Sequence, residues 1–104
     1  MTVWSVYIIR CADGSLYTGI ATDVARRLSE HESGAIGSKY LRGRAPLELV
    51  FDQALGDRSL ASKIEHRIKK LPRPGKERII DRTTQLDEWV SELQELALRE
   101  SSVQ

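Results

Sequence analysis

Two tyrosines ten residues apart, Tyr7 in Val6-Tyr7-Ile8 and Tyr17 in Tyr17-Thr18-Gly19, are followed by Arg27 and, four residues on, His31. A phenol donates or accepts a proton, a guanidinium is permanently charged and forks onto phosphate oxygens, and an imidazole titrates near neutrality. Gathered in one place, these groups suit phosphodiester cleavage. That reaction needs an activated nucleophile, charge stabilisation on the phosphoryl oxygens and help for the leaving oxygen. The rest of the chain must then supply a metal ligand and a nucleic-acid surface. Glu65 is the candidate ligand. It lies four residues after Ala61 and three before Ile68, which sets a carboxylate at the edge of an apolar helical face, where it is costly without a partner or a metal.

Taken singly, each residue has a simpler role. Tyr7 and Tyr17 are ordinary strand aromatics, Arg27 pairs with Asp23, His31 sits near a helix C-terminus where positive charge is favoured, and Glu65 pairs with Arg58 or Lys69. Joint order and spacing are what point to a site.

The elements that position these residues can be read from pattern. Trp4 to Arg10 and Leu16 to Ile20 are rich in β-branched and aromatic residues, and the turn sequence Cys11-Ala12-Asp13-Gly14-Ser15 separates them, which describes a β-hairpin. Its loop length decides whether a site exists, because side chains alternate faces and a one-residue slip reverses them. A two-residue Asp13-Gly14 loop pairs Arg10 with Tyr17 and puts the tyrosines on opposite faces. A three-residue loop, with Gly14 left-handed in a bulge, pairs Ile9 with Tyr17 and puts both on one face. The three-residue loop is the expectation.

Thr22 or Asp23 caps a helix that Gly34 stops after Ser33, and Arg27 and His31 share one of its faces. The segment from Gly34 to Arg44 reads as a loop with room for one helical turn, carrying Tyr40 among Lys39, Arg42 and Arg44. A third strand is expected over Leu47–Asp52, with Leu49 and Phe51 alternating against Val50. Asp57 caps a helix ending at Pro72, whose apolar stripe is Leu60, Ala61, Ile64, Ile68 and Leu71. Arg73-Pro74-Gly75-Lys76 reads as a turn, followed by a short helical piece through Ile79 and Ile80. A last helix opens at Thr84 with a sequence like a capping box and is expected to bury Leu86, Val90, Leu93 and Ala97.

At 104 residues and 40% hydrophobic content the chain fits one globular domain. Its sixteen basic and fifteen acidic residues look balanced, yet the distribution is uneven. Residues 1–80 carry fourteen Lys/Arg against nine Asp/Glu, net +5, and residues 81–104 carry two against six, net −4. A basic body with an acidic tail suits a polyanion partner. Cys11 is the single cysteine, which excludes an internal disulfide and paired-cysteine metal binding and favours a reducing, cytoplasmic setting. The apolar run Val3 to Ile9 lacks a charged leader and is too short for a signal peptide or membrane span.

With Val6-Tyr7-Ile8, Tyr17-Thr18-Gly19, Arg27, His31 and Glu65 in this order, the chain resembles the GIY-YIG nuclease superfamily, in its branch of small single-domain proteins. The resemblance covers about residues 4 to 80. It implies an α+β fold, a three-stranded antiparallel sheet flanked by helices over residues 1–81, to which residues 82–104 add an acidic C-terminal helix. It also implies a DNA endonuclease dependent on one divalent cation, Mg²⁺ or Mn²⁺, acting in DNA repair or processing. Tyr7, Tyr17, Arg27, His31 and Glu65 would be the catalytic residues, Glu65 the metal ligand, and Gly19 a structural residue of the motif. Arg27 would grip the scissile phosphate and His31 assist by hydrogen bonding or proton transfer. Either phenol could activate water, with Tyr7 favoured. Lys39, Arg42, Arg44, Lys63, Arg67, Lys69, Lys70, Arg73, Lys76 and Arg78 would neutralise DNA phosphates without reading sequence. The motif glycine is replaced by Val6, its second isoleucine by Thr18, and Ile20 stands where some members carry lysine. The asparagine that some repair-type members place beyond the glutamate is missing.

The competing reading is a non-catalytic nucleic-acid-binding module of the same fold. A third is a protein-interaction domain in which the acidic last helix docks a partner or covers the basic surface. A monomer or weak homodimer is expected, with DNA as partner and no membrane association.

Overall fold

The computed structural model describes residues 2–34, 39–82 and 84–102. Chain order is β1 (Trp4–Arg10), β2 (Leu16–Ala21), α1 (Val24–Ser33), a 3-10 turn at Lys39–Leu41, β3 (Glu48–Gly56), α2 (Arg58–Lys69), α3 (Arg73–Asp81) and α4 (Thr84–Ser102). The three strands form one antiparallel sheet in the order β2-β1-β3, so the fold is the expected α+β arrangement. Among the described residues no helix is long and apolar enough to cross a membrane.

The hairpin takes the longer loop. Ile9 pairs with Tyr17 and Arg10 with Leu16. The Cys11 amide donates to the Ser15 carbonyl at 2.9 Å, the Gly14 amide donates to the Cys11 carbonyl at 2.9 Å, and Gly14 has φ 84°. That left-handed backbone is the reason for a glycine at this position. Asp13 fixes the turn by accepting from the Ser15 amide at 3.0 Å and the Ser15 hydroxyl at 2.6 Å.

This register sorts the molecule into two cores, one on each side of the sheet. Tyr7, Ile9, Cys11, Ala21, Leu41 and Leu47 are buried together, with Tyr17, Val24, Leu28 and Leu49 packed on them. Val6, Ile8, Phe51, Ile64, Ile68, Ile79 and Leu86 form the other cluster, joining β1 to α2, α3 and α4. Alternation along β1 therefore sends Tyr7 toward α1 and its neighbours Val6 and Ile8 toward α2. Val6 pairs with Ile20 and Ile8 with Thr18. All three motif departures thus lie on the sheet face opposite the tyrosines, where apolar or small side chains serve the core.

Several elements differ from expectation. β3 runs to Gly56 instead of Asp52, and register shifts interrupt its pairing with β1. Ile8 faces Phe51 and Ile9 faces Leu49, so Val50 is an extra residue. The bulge puts Leu49 in the tyrosine-side core and Phe51 in the other, where strict alternation had placed them together. α2 ends at Lys69, short of Pro72. The tetrapeptide Arg73-Pro74-Gly75-Lys76 is the first turn of α3, with Pro72 as N-cap. Proline is tolerated there because first-turn amides have no intrahelical partner. Gly75 suits the position because a Cβ would stand 3.2 Å from the Leu71 Cβ.

α1 and α2 are capped as anticipated. Asp23 accepts from the Arg26 amide at 3.1 Å, Asp57 from the Leu60 amide at 2.8 Å, and Gly34 closes α1 with φ 73°. At the far end of β1, the guanidinium of Arg10 forks onto Glu77 of α3 at 2.8 and 3.3 Å. This partner holds the Glu77 carboxyl below the usual carboxylate range. α4 buries Leu86 fully and Val90 and Leu93 in part, but Ala97 is exposed. The helix outruns the body it packs on, and Leu98 is 71% exposed.

Candidate active site

β1, β2 and α1 carry four of the five proposed catalytic side chains, of which Tyr7, Tyr17 and His31 are in contact, and α2 carries the fifth. The Tyr7 and Tyr17 rings have centroids 6.3 Å apart and are tilted 42° to each other. Tyr7 is 2% exposed, while Tyr17 is half-buried and forms the open side of the pair. Gly19 pairs directly with Tyr7 across the hairpin, and the Tyr7 ring covers the space its side chain would fill.

His31 is the buried residue of α1. Its Nε2 lies 3.3 Å from the Tyr7 hydroxyl, and the Tyr17 ring meets its ring edge-on at 5.8 Å and 70°. Burial lowers the imidazole pKa, Arg27 lowers it further, and Glu30 opposes them. His31 Nδ1 is buried with no hydrogen-bond partner among the described residues. Burial also raises the Tyr7 pKa well above its ordinary value. Tyr17 adds to the rise, Arg27 pulls against it and Glu65 adds to it. A neutral phenol and a neutral imidazole thus meet at the floor of the site.

The two charges that act on Tyr7 are both accessible. Arg27 has a side chain 40% exposed and a loose ion pair with Glu30 at 3.7 Å. Glu65 is 23% exposed and pairs with Lys69 at 3.3 Å. Arg58, the other partner considered for Glu65, instead lies over the Trp4 ring at 5.2 Å.

The basic residues of α2 do not all share one face. Residues two apart on a helix point about 200° apart, so Lys63 and Arg67 cannot share the side of α2 that carries Glu65 and Lys69. Arg67 pairs with Glu92 of α4 at 3.5 Å and lies over Trp89 at 5.7 Å. Lys63 lines a groove between α2 and α4 with Leu60, Leu93 and Ala97. Arg73 pairs with Glu77 at 3.7 Å, Lys76 is half-buried, and Arg42, Lys70 and Arg78 are exposed. Arg44 clasps the hairpin loop through Asp13 and the Ser15 hydroxyl. The side chain of Lys39 lies outside the described residues.

One residue at this site had no role in the sequence reading. Tyr40, in the 3-10 turn, stacks at 5.8 Å and 30° from Tyr17 and is 41% exposed. The signal available in sequence was an aromatic set among Arg42, Arg44 and Lys39.

A bulged hairpin presenting two phenols, a helix with arginine and histidine behind it, and a glutamate on the next long helix define a GIY-YIG fold. The profile of the GIY-YIG catalytic domain matches residues 3–78, and the chain belongs to that family, a nuclease superfamily. Among similar proteins, the "UPF0213 protein YhbQ" of Salmonella typhimurium is 48% identical over 99 residues, covering 95% of this chain and 98% of its own. The protein of the same name from Escherichia coli is 50% identical over 94 residues, covering 90% and 93%. Two solution structures share the fold. The protein EF2693 from E. faecalis is 39% identical with a TM-score of 0.58, over 83% of this chain and 90% of that one. The UPF0213 protein BH0048 from Bacillus halodurans is 44% identical with a TM-score of 0.50, over 76% and 83%.

Proposed function

We propose that this protein is a DNA endonuclease that hydrolyses phosphodiester bonds with the help of one divalent cation. The observation that carries the reading is the convergence on Tyr7. Tyr17 and His31 touch it, and Arg27 and Glu65 act on its phenol from accessible positions. Superfamily membership supports the reaction class.

Hydrolysis adds the oxygen of a water to phosphorus and breaks one P–O ester bond. A proton leaves the attacking water and another reaches the departing oxygen. Arg27, planar and always charged, would hold the phosphoryl oxygens as negative charge grows on them. Tyr17 stands on the open side and would face the reacting water. Tyr7 is better suited to donate a hydrogen bond than to act as base, because burial opposes formation of its phenolate. This shifts the favoured base from Tyr7 to Tyr17. His31 would hold the Tyr7 hydroxyl in place.

Glu65 is the group to hold Mg²⁺ or Mn²⁺. Among the described residues no set of three or more His, Cys, Asp or Glu side chains could hold a metal ion. One carboxylate fits Mg²⁺ nonetheless, since this ion keeps several waters and is commonly completed by substrate phosphates. When bound, the cation supplies Lewis acidity and lowers the pKa of a bound water. A role in DNA repair or processing and a cytoplasmic location accord with this chemistry and with Cys11 standing free and buried.

Incubation with labelled single-stranded, duplex and branched DNA plus Mg²⁺ or Mn²⁺ tests the reading. Cation-dependent products support it. Salt-sensitive binding with no such product would instead leave a non-catalytic binding module.

A further inference from the structure

The aromatic contacts of the site do not stop at Tyr17. From Tyr7, 2% exposed, the rings pass through half-buried Tyr17 to Tyr40, 41% exposed, with centroid steps of 6.3 and 5.8 Å. Beyond Tyr40 the guanidinium of Arg44 lies 4.3 Å from the ring centroid. Arg44 is itself held by Asp13 and by the Ser15 hydroxyl, at 3.2 Å, and its carbonyl accepts from the Ala12 amide at 3.0 Å. The hairpin loop that sets the tyrosine register therefore also fixes the segment that carries Tyr40.

A core aromatic needs no such arrangement. Tyr40 keeps a large exposed surface beside the candidate catalytic phenol, and a cation is stacked against it and anchored by a carboxylate. A partly exposed aromatic ring flanked by an arginine plane is the chemistry that binds an unpaired nucleobase, by stacking and cation–π attraction. Bases inside a duplex are already stacked on one another, so such a surface favours a base that is free of a partner. The spacing is compatible with one strand serving both places. A stacked strand advances about 3.4 Å per nucleotide, so the 5.8 Å between the Tyr17 and Tyr40 rings corresponds to no more than about two nucleotides of strand.

We propose that Tyr40, positioned by Arg44, is a nucleobase-stacking residue that holds an unpaired base of single-stranded DNA within two nucleotides of the phosphate at Tyr17 and Arg27. The proposal rests on the nuclease reading for the placement of that phosphate. It gives Arg44 a positioning role in place of the phosphate contact expected from sequence.

A single-stranded oligonucleotide carrying 2-aminopurine, titrated with the whole protein in EDTA, reports stacking without cleavage. The wild type should quench the fluorophore in single-stranded DNA and leave it little changed in the matching duplex. Tyr40→Phe should retain the quench. Tyr40→Leu, which keeps apolar bulk without a π system, should lose it and weaken binding about tenfold. Far-UV circular dichroism shows that the variants are folded, and Tyr40→Ala serves if Tyr40→Leu is not. Equal quench and affinity in wild type and folded Tyr40→Leu would overturn the proposal alone. Absence of any salt-sensitive DNA binding by the wild type would overturn both it and the nuclease reading.

Discussion

The Tyr7 ring lies so close over Gly19, its cross-strand partner, that a Cβ on Gly19 would stand 2.5 Å from the phenol oxygen and 2.6 Å from Cζ. Glycine is needed here for space, since its φ is not in the left-handed region. The hydroxyl of the same ring lies 3.3 Å from His31 Nε2.

Gly19→Ala should therefore displace Tyr7 and destabilise the fold by about 1–3 kcal/mol, the usual cost of overpacking a close-packed site. Denaturant unfolding measures it. In a Tyr7→Ala background the added methyl meets open space, and most of that cost should vanish. Additive costs in the double-mutant cycle would show that the two residues do not compete for the same volume.

His31 gives the fold an acid sensitivity. Its folded pKa lies below the unfolded value of about 6.5, so the unfolded state binds the proton first as pH falls. The stability it contributes is complete above about pH 6.5, declines as pH drops below that value, and is lost once pH passes the lowered folded pKa. Thermal melting between pH 8 and pH 5 should show a steeper fall for wild type than for His31→Gln. Parallel curves would mean that His31 titrates as it does in the unfolded chain.

The basic residues separate into two groups with different expected effects. Arg67 is engaged by Glu92 and Trp89 of α4, so Arg67→Ala should lower stability by about 0.5–1 kcal/mol and leave DNA affinity nearly unchanged. Arg42 is exposed beside the Tyr40 segment. Arg42→Ala should weaken DNA binding and reduce the slope of log affinity against log salt by about 1. The reverse pattern would relocate the DNA surface to the α2–α4 side.

Much of the site was legible because its key elements obey local rules. Asp13-Gly14 with three loop positions fixes the hairpin register, and that register alone brings Tyr7 and Tyr17 to one face. Asp23, Gly34 and Asp57 mark helix ends by capping chemistry that the sequence states directly. What was hidden depends on contacts between distant segments. The bulge at Val50 arises from pairing with β1, and no local signal marks it. The first turn of α3 carries Pro74 and Gly75, which locally read as a breaker and become helical through packing of Leu71 and Ile79. Ala97 continues the heptad-like stripe of α4, but the body beneath it ends first. Arg44 and Tyr40 meet Asp13 and Tyr17 across 31 and 23 residues, and spacing cannot reveal such a contact.

If Glu65 and the tyrosine pair form one hydrolytic site, cleavage must depend on Glu65. The most direct measurement is the rate of DNA cleavage in Mg²⁺ or Mn²⁺ by wild type and by Glu65→Ala, with circular dichroism and melting confirming that both are folded. Wild type should show cation-dependent cleavage that is abolished by EDTA and by Glu65→Ala. Equal rates for the two proteins, or no cleavage of any strand structure by wild type, would contradict it.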